Sequence, residues 1–457
     1  MNPERRRFLS EVGLSALGVL TFRIGRVSAQ RKESITLAAA GDCIITRKLS
    51  VLEHPAFRKL VSIFRDSDVG FGNCEMTIHD LQGYPAPTGS CGDLDLMTEP
   101  AMAEELAGAG FNMMALANNH SGDYGAQGLL ATIGNLERAG IVSAGAGGNL
   151  ARARAPGFRD VQAGRVALVA CASSFRPGTE ASPSHAAIPG RPGLSPLRTS
   201  RIYRLRRDRI ESIRRMKEDL ARYLSNREEE ESEKSVTFLG NRFEEAAEAG
   251  IRMEARPGDV AEILAQVRRA RAEADLVLVS IHAHDSGASR EEPADFLPPF
   301  ARACIEAGAD IFLGHGPHVL RGAEIHGGKP IFYSLGNFLF PAETIRQIPA
   351  EIYKTCGIDS LSPSDFFAKV MGRMFEQPVF WESVVPRICF EKHECTRIDL
   401  YPVDLRYDLP PTQRGTPQLA ATGKGQKILE RFTALSRPFG TEITIEQGRA
   451  SVALPAG

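Results

Sequence analysis

The sequence predicts an α/β fold with its functional site at the carboxyl ends of the strands, and three observations lead there. Short apolar runs alternate with helix-like stretches along much of the chain. Each run stops at a polar or glycine-containing cluster. Acidic, amide and imidazole side chains recur in those clusters. Alternating strands and helices wind into a sheet, and such sheets bind ligands beyond the strand carboxyl ends.

The elements follow in order. Ile35 to Ala40 is the first apolar run and stops at Gly41-Asp42; Ser67 to Phe71 is the second and leads into Gly72-Asn73-Cys74-Glu75. Glu99 to Ala109 is Ala-rich and closes at Gly110, as a helix does. Asn112 to Ala117 is the next strand, running into Asn118-Asn119-His120. Gly128 to Ala139 carries Leu129, Leu130, Ile133 and Leu136 at helical spacing. Further along, helices are expected over Val260–Glu273 and Phe296–Ala307, and strands over Leu276–Ile281, ending at His282, and Ile311–Leu313, ending at Gly314-His315. Arg397 to Val403 reads as a strand and Gln426 to Leu435 as a helix.

Two regions interrupt this grammar. Residues 176 to about 257 begin Pro- and Gly-rich and then run as a basic helix from Arg207, with Ile210, Ile213, Met216 and Leu220 on one face, before an acidic stretch at Glu228 to Glu231. This insertion reads as a solvated helical unit with paired charges, or else as a basic surface for an anionic polymer. Residues 343 to 391 are also irregular. The 457 residues are 43% hydrophobic and 24% charged, enough to bury a substantial core. A formal net charge of −1 gives no reason to expect nucleic acid as a partner.

The first 29 residues stand apart. Arg5-Arg6-Arg7-Phe8-Leu9 precedes a modest apolar run from Val12 to Phe22 and a small-residue stretch, Val27-Ser28-Ala29. This is the pattern of a twin-arginine export signal, and about 11 apolar residues fall short of the roughly 20 needed to span a bilayer. A periplasmic or cell-surface location is therefore expected. The eight cysteines are scattered, with no CxxC pair; Cys389 and Cys395 are nearest in sequence, although free buried cysteine is the commoner fate.

The chemistry lies at the strand ends: Asp42, Glu75, Asn119 with His120, His282, His315 and His318. Singly, each has an ordinary explanation as a turn residue or a surface histidine. Together they supply what a hydrolytic metal site requires, namely carboxylates to neutralise cations, imidazoles to complete their coordination and one free histidine to protonate a leaving group. Mixed oxygen and nitrogen donors suit one or two ions of Mn, Fe or Zn better than calcium.

At these residues the chain resembles the CapA family of capsular poly-gamma-glutamate synthesis proteins. The resemblance lies in Gly41-Asp42-Cys43-Ile44, Gly72-Asn73-Cys74-Glu75, Ala117-Asn118-Asn119-His120 with Asp123-Tyr124-Gly125, Gly314-His315-Gly316-Pro317-His318 and Tyr333-Ser334-Leu335-Gly336-Asn337-Phe338. Arg191-Pro192-Gly193-Leu194 also looks like longer, exported members of that family. The resemblance implies a four-layer αββα metallophosphatase-like domain over residues 34–342, with residues 343–457 completing it. It implies metal ligation by Asp42, Glu75 as the bridging carboxylate, Asn119, His282, His315 and His318, and a transition-state acid, His120, oriented by Asp123.

Three departures bear on that reading. Ile44 stands where the phosphatase pattern has histidine, and Glu75 where it has aspartate. Gly316 replaces an imidazole common in the family, while His284 offers a substitute nearby. Gly336-Asn337-Phe338 admits two roles, a tight turn or an asparagine that orients substrate. The expected activity is hydrolysis or transfer at an amide of an exported anionic polymer such as poly-gamma-glutamate, together with membrane-bound synthase components. The alternatives are a non-catalytic accessory with a degenerate site and a periplasmic phosphoesterase.

Overall fold

The computed structural model describes residues 34–87, 94–223, 232–358, 362–372 and 374–455. The export-signal reading of residues 1–29, the acidic stretch 228–231 and Cys91 lie outside the described residues. In chain order the first part runs β1 (Ser34–Cys43), α1 (Pro55–Arg65), β2 (Val69–Cys74), α2 (Ala101–Gly108), β3 (Met113–Ala115), α3 (Gly125–Arg138) and β4 (Val142–Ala144). After β5 (Gly157–Val161) and β6 (Gly164–Ala172) comes the insertion: β7 (Thr199–Leu205), α4 (Arg207–Asp219), β8 (Ser235–Phe238), β9 (Asn241–Glu245) and β10 (Gly250–Ala255). The chain continues with α5 (Pro257–Glu273), β11 (Leu276–His282), α6 (Leu297–Glu306), β12 (Ile311–His315), β13 (Leu320–His326), β14 (Lys329–Leu335) and β15 (Asn337–Leu339). It closes with β16 (Glu382–Glu391), β17 (Glu394–Asp404), α7 (Thr422–Ser436), β18 (Ile443–Glu446) and β19 (Arg449–Val452).

Two sheets organise these elements. The first has the order β18-β19-β17-β16-β1-β2-β3-β4, with β15 added beside the carboxyl end of β1. The second has the order β13-β14-β12-β11-β6-β5. The central strands β1 to β4 are parallel, as are β6, β11, β12 and β14. Successive side chains of a strand point to opposite faces, so a strand buried on both faces feeds two cores. In β1, Leu37 and Ala39 enter the core between the sheets while Ala38 and Ala40 enter the outer one. In β11, Leu276 and Leu278 face inward while Val277 and Val279 face the outer helices.

The layers are therefore helix, sheet, sheet, helix. Phe57, Leu60 and Phe64 of α1, with Met102 and Leu106 of α2, cover the first sheet. Ile263 and Val267 of α5, with Phe300 and Cys304 of α6, cover the second. Between the sheets Phe71 and Met113 meet Leu168, Leu278 and Leu313, and α7 adds Ile428, Leu429 and Phe432. This is the four-layer αββα sandwich expected from the resemblance.

The insertion differs in detail from a helical unit. Its helix is present and buries Ile210 and Ile213, but it packs on a four-stranded sheet of order β8-β9-β7-β10. Met216 and Leu220 remain 47% and 39% exposed. Several arginines of this unit are paired with neighbouring acids, Arg207 with Glu211 at 3.2 Å and Arg252 with Glu244 at 3.1 Å among them. That pairing fits the solvated reading of the insertion. Cys389 and Cys395 are free thiols, whereas Cys356 is disulfide-bonded.

Candidate metal centre

The carboxyl ends of the parallel strands from both sheets meet at one rim. Asp42 lies at the end of β1, Glu75 follows β2, and Asn118 to His120 lie beyond β3. His282 and His315 are the last residues of β11 and β12, paired in register, and His318 lies in the loop before β13. Glycine brings the two sheets together here. A Cβ on Gly41 would lie 1.9 Å from the Gly336 carbonyl oxygen, the same atom that accepts the Asp42 N–H at 3.0 Å. Gly316, at φ +113°, turns its N–H onto Asp42 Oδ2 at 3.1 Å, while Asn73 Nδ2 donates to Oδ1 at 2.8 Å.

The remaining contacts bring lone pairs together. From Asp42 Oδ1, His282 Nδ1 lies at 3.8 Å and His315 Nδ1 at 3.6 Å; His318 Nδ1 is 3.5 Å from Oδ2. Glu75 Oε1 faces His282 Nε2 at 3.7 Å and His318 Nε2 at 3.6 Å. His282 Nδ1 lies 3.0 Å from His315 Nδ1, and its Nε2 lies 3.0 Å from His284 Nε2. Metal bonds of about 2.0–2.2 Å set neighbouring donors roughly 3 to 3.6 Å apart, close to the spacings seen. Three overlapping donor groups result: Asp42 with His282 and His315, Glu75 with His282 and His284, and Asp42 with Glu75 and His318.

Burial makes the case chemical. Asp42, Glu75 and His282 are inaccessible to solvent. Neither oxygen of Glu75 has a hydrogen-bond partner among the described residues, and neither does Asn119 Oδ1. An unpaired buried carboxylate costs several kcal/mol, so it must take up a proton or a cation. Burial, reinforced by the Asp42 charge, pushes the Glu75 pKa well above its ordinary value. Burial likewise holds His282 and His284 well below theirs and lowers His315 to about 4. Neutral imidazoles with free lone pairs are the state that binds metal, so these residues fit a divalent ion.

Beside this cluster, His120 Nδ1 donates to Asp123 Oδ2 at 2.7 Å. The Asp123 carboxylate is fully buried and also accepts the Leu96 N–H at 2.6 Å, so the imidazole is held from behind. The His120 side chain keeps 13% exposure, and among the described residues its Nε2 has no hydrogen-bond partner.

The structure thus brings Asp42, Glu75, His282, His315 and His318 together. Asn119 follows Asn118, whose Nδ2 donates to Asn73 Oδ1 at 3.1 Å and to the Cys74 carbonyl at 2.8 Å. Sequence reasoning gave no role to Asn73, Asn118 or Ser280, although all three brace the donors; Ser280 Oγ lies 2.7 Å from His315 Nε2. Amides at strand ends read as turn formers, and only the Asn-Asn and Gly-Asn pairings hint otherwise. Asn337 follows Gly336 at φ +71°, in the tight turn, and its Oδ1 lies 2.9 Å from His318 Nδ1, so it orients a candidate metal ligand. Ile44 is buried in the outer apolar core and contributes nothing to the donor set.

Two sheets packed face to face between helices, with mixed carboxylate and imidazole donors at the strand ends, define a four-layer α/β protein with a candidate metal site. More narrowly, the chain belongs to the family described as bacterial capsule synthesis protein PGA_cap, which matches residues 36–342. It is 36% identical over 435 residues to the uncharacterized protein y4sH of Sinorhizobium fredii, covering 92% of this chain and 94% of that one. It is 24% identical to the capsule biosynthesis protein CapA of Bacillus anthracis, over 70% of this chain and 63% of that protein. The solved NAD nucleotidase of Haemophilus influenzae aligns over 88% of this chain and 56% of its own, with a TM-score of 0.29 at 10% identity. At that score the likeness adds nothing to the fold assignment, which rests on the two sheets and their three cores.

Proposed function

We propose that this chain is an exported, metal-dependent hydrolase or transferase acting at an amide of an anionic extracellular polymer of the poly-gamma-glutamate type, in its synthesis, attachment or trimming. Family membership supports the polymer. The buried Glu75 carboxylate, without a hydrogen-bond donor among the described residues and facing two imidazoles, is the single observation that carries the metal. Asp42, Glu75, Asn119, His282, His315 and His318 hold one or two ions of Mn, Fe or Zn, with His284 as a further donor. Such ions supply polarisation of a carbonyl and activation of water.

The chain's own residues do the rest. Asp123 accepts the hydrogen bond of His120 Nδ1–H and holds the ring in place, and the doubly protonated imidazolium is the form that would give its Nε2 proton to the leaving amine. The fully buried donors keep bulk water from the reacting centre. Location in the periplasm or at the cell surface agrees with the twin-arginine pattern and with a disulfide at Cys356, since disulfides persist in oxidising compartments. Membrane-bound synthase components are the expected partners.

A second reading, a non-catalytic accessory, draws on Ile44 and Gly316, which leave the donor set smaller than a full two-metal site. Chain-length analysis of γ-linked polyglutamate incubated with wild type and His120→Ala separates the two. Loss of about 10²-fold or more in cleavage or transfer by His120→Ala is expected. No turnover by wild type supplied with Mn, Fe and Zn would favour the accessory.

A further inference from the structure

A second feature adjoins the His120 loop. A groove of 460 Å³ is lined by Tyr84, Gly122, Arg176, Thr179, Arg191 and Gly193 among others, and among the described residues no aspartate or glutamate lines it. Its size falls within the roughly 300–1,000 Å³ of small-ligand sites. Gly122 lies between His120 and Asp123, and a Cβ there would come 2.4 Å from Thr179 Cγ2, so the groove wall presses directly on the loop that carries the proposed acid. A Cβ on Gly193 would come 2.4 Å from the Thr179 carbonyl, which explains glycine in the Arg191-Pro192-Gly193 run.

Two guanidiniums are fixed in this groove. Arg191 Nε and Nη2 donate to the Glu180 carbonyl at 3.1 and 3.0 Å, with the Glu180 carboxylate 3.6 Å away, yet its side chain stays 49% exposed. Arg176 is tied to Asp95 and to the Leu94 carbonyl, and its Nη2 lies 3.7 Å from Asp123 Oδ1. Tyr84 stands 82% exposed at the edge. A pre-oriented guanidinium binds a carboxylate with little ordering cost, and a planar fork matches a carboxylate better than a point charge.

We propose that this groove is a subsite for the carboxylate-bearing chain next to the scissile amide, with Arg191 reading a side-chain carboxylate and Tyr84 forming an apolar wall. The inference rests on the reading of His120 as the acid at the leaving group. It gives the Arg191-Pro192-Gly193 motif a task beside the His120 loop.

The test is fluorescence anisotropy with a fluorescein-labelled γ-linked glutamate oligomer and the metal-supplied protein. Arg191→Ala is expected to weaken binding about tenfold, a loss of roughly 1.4 kcal/mol. Arg191→Lys should fall between it and wild type, Tyr84→Ala should weaken binding several-fold, and the exposed Arg207→Ala should change nothing. A γ-linked glutamine oligomer should bind at least tenfold more weakly. Absence of binding by wild type, binding by Arg191→Ala within twofold of wild type, or equal binding of the neutral oligomer would each overturn the proposal. Should Arg191→Ala fail to fold, the highly exposed Tyr84→Ala decides, and unchanged binding there overturns it. Arg191-dependent binding without turnover would remove the catalytic reading and keep the groove; turnover and binding both indifferent to Arg191 would do the reverse.

Discussion

Replacing Glu75 by glutamine should make the metal-free protein more stable and the metal-supplied protein less responsive. The side chain is fully buried, neither oxygen has a donor among the described residues, and an Asp42 oxygen lies within 4.8 Å. Two like charges at that separation repel by about 3 kcal/mol at an effective dielectric of about 20. The protein escapes part of this cost by protonating Glu75, and each unit of upward pKa shift costs about 1.4 kcal/mol at higher pH. Glutamine keeps the shape and removes the charge, so Glu75→Gln should gain about 1–3 kcal/mol in chelator. Wild type should instead gain about 2.7 kcal/mol when metal is supplied at a hundred times its Kd. At about 2–4 °C per kcal/mol, and at the lower end for a chain this long, both effects are readable by calorimetry. The two proteins should therefore exchange rank between chelator and metal. Glu75→Gln less stable than wild type in chelator, or shifted equally by Mn or Zn, would refute the reasoning.

Acid and packing give further expectations. His282, His284 and His315 are neutral in the fold with depressed pKa values, and each gains a proton on unfolding below about 6.5. Their contribution is therefore complete above that pH and is lost as pH falls from 6.5 toward 4, by up to about 1.4 kcal/mol per pH unit for each histidine. Urea titrations of the chelated protein between pH 7 and 4.5 would show it, and a flat profile would contradict it. Gly41→Ala should cost about 3 kcal/mol, because its Cβ would collide with the Gly336 carbonyl and part the two rims; a melting temperature equal to wild type would be the contrary result.

Much of the sandwich is legible because each central strand is an unbroken apolar run. Leu276-Val277-Leu278-Val279, short, apolar and half β-branched, reads as a strand buried on both faces, and it is one. What such a run does not disclose is which sheet it joins, since β6 and β11 resemble β1 and β2 in pattern. The insertion strands escape notice for the opposite reason. In Arg201-Ile202-Tyr203-Arg204-Leu205 only Ile202 is fully buried, so a half-solvated small sheet leaves a weak alternation. In the site, donors with charge or an imidazole stand out, whereas Asn73 acts through geometry, set between Asp42 and His282 at 2.8 and 3.2 Å. Cysteine pairing is not set by separation along the chain: Cys389 and Cys395, on the paired strands of one hairpin, are free, while Cys356 is bonded.

The central claim is that the strand-end donors hold a divalent ion. Elemental analysis of the purified protein, supplied in turn with Mn, Fe and Zn and then freed of excess ion, tests it directly beside Asp42→Ala. The account predicts one or two ions per wild-type chain and their loss in a folded Asp42→Ala. Wild type that retains none of the three, or a folded Asp42→Ala that retains as much as wild type, would contradict it.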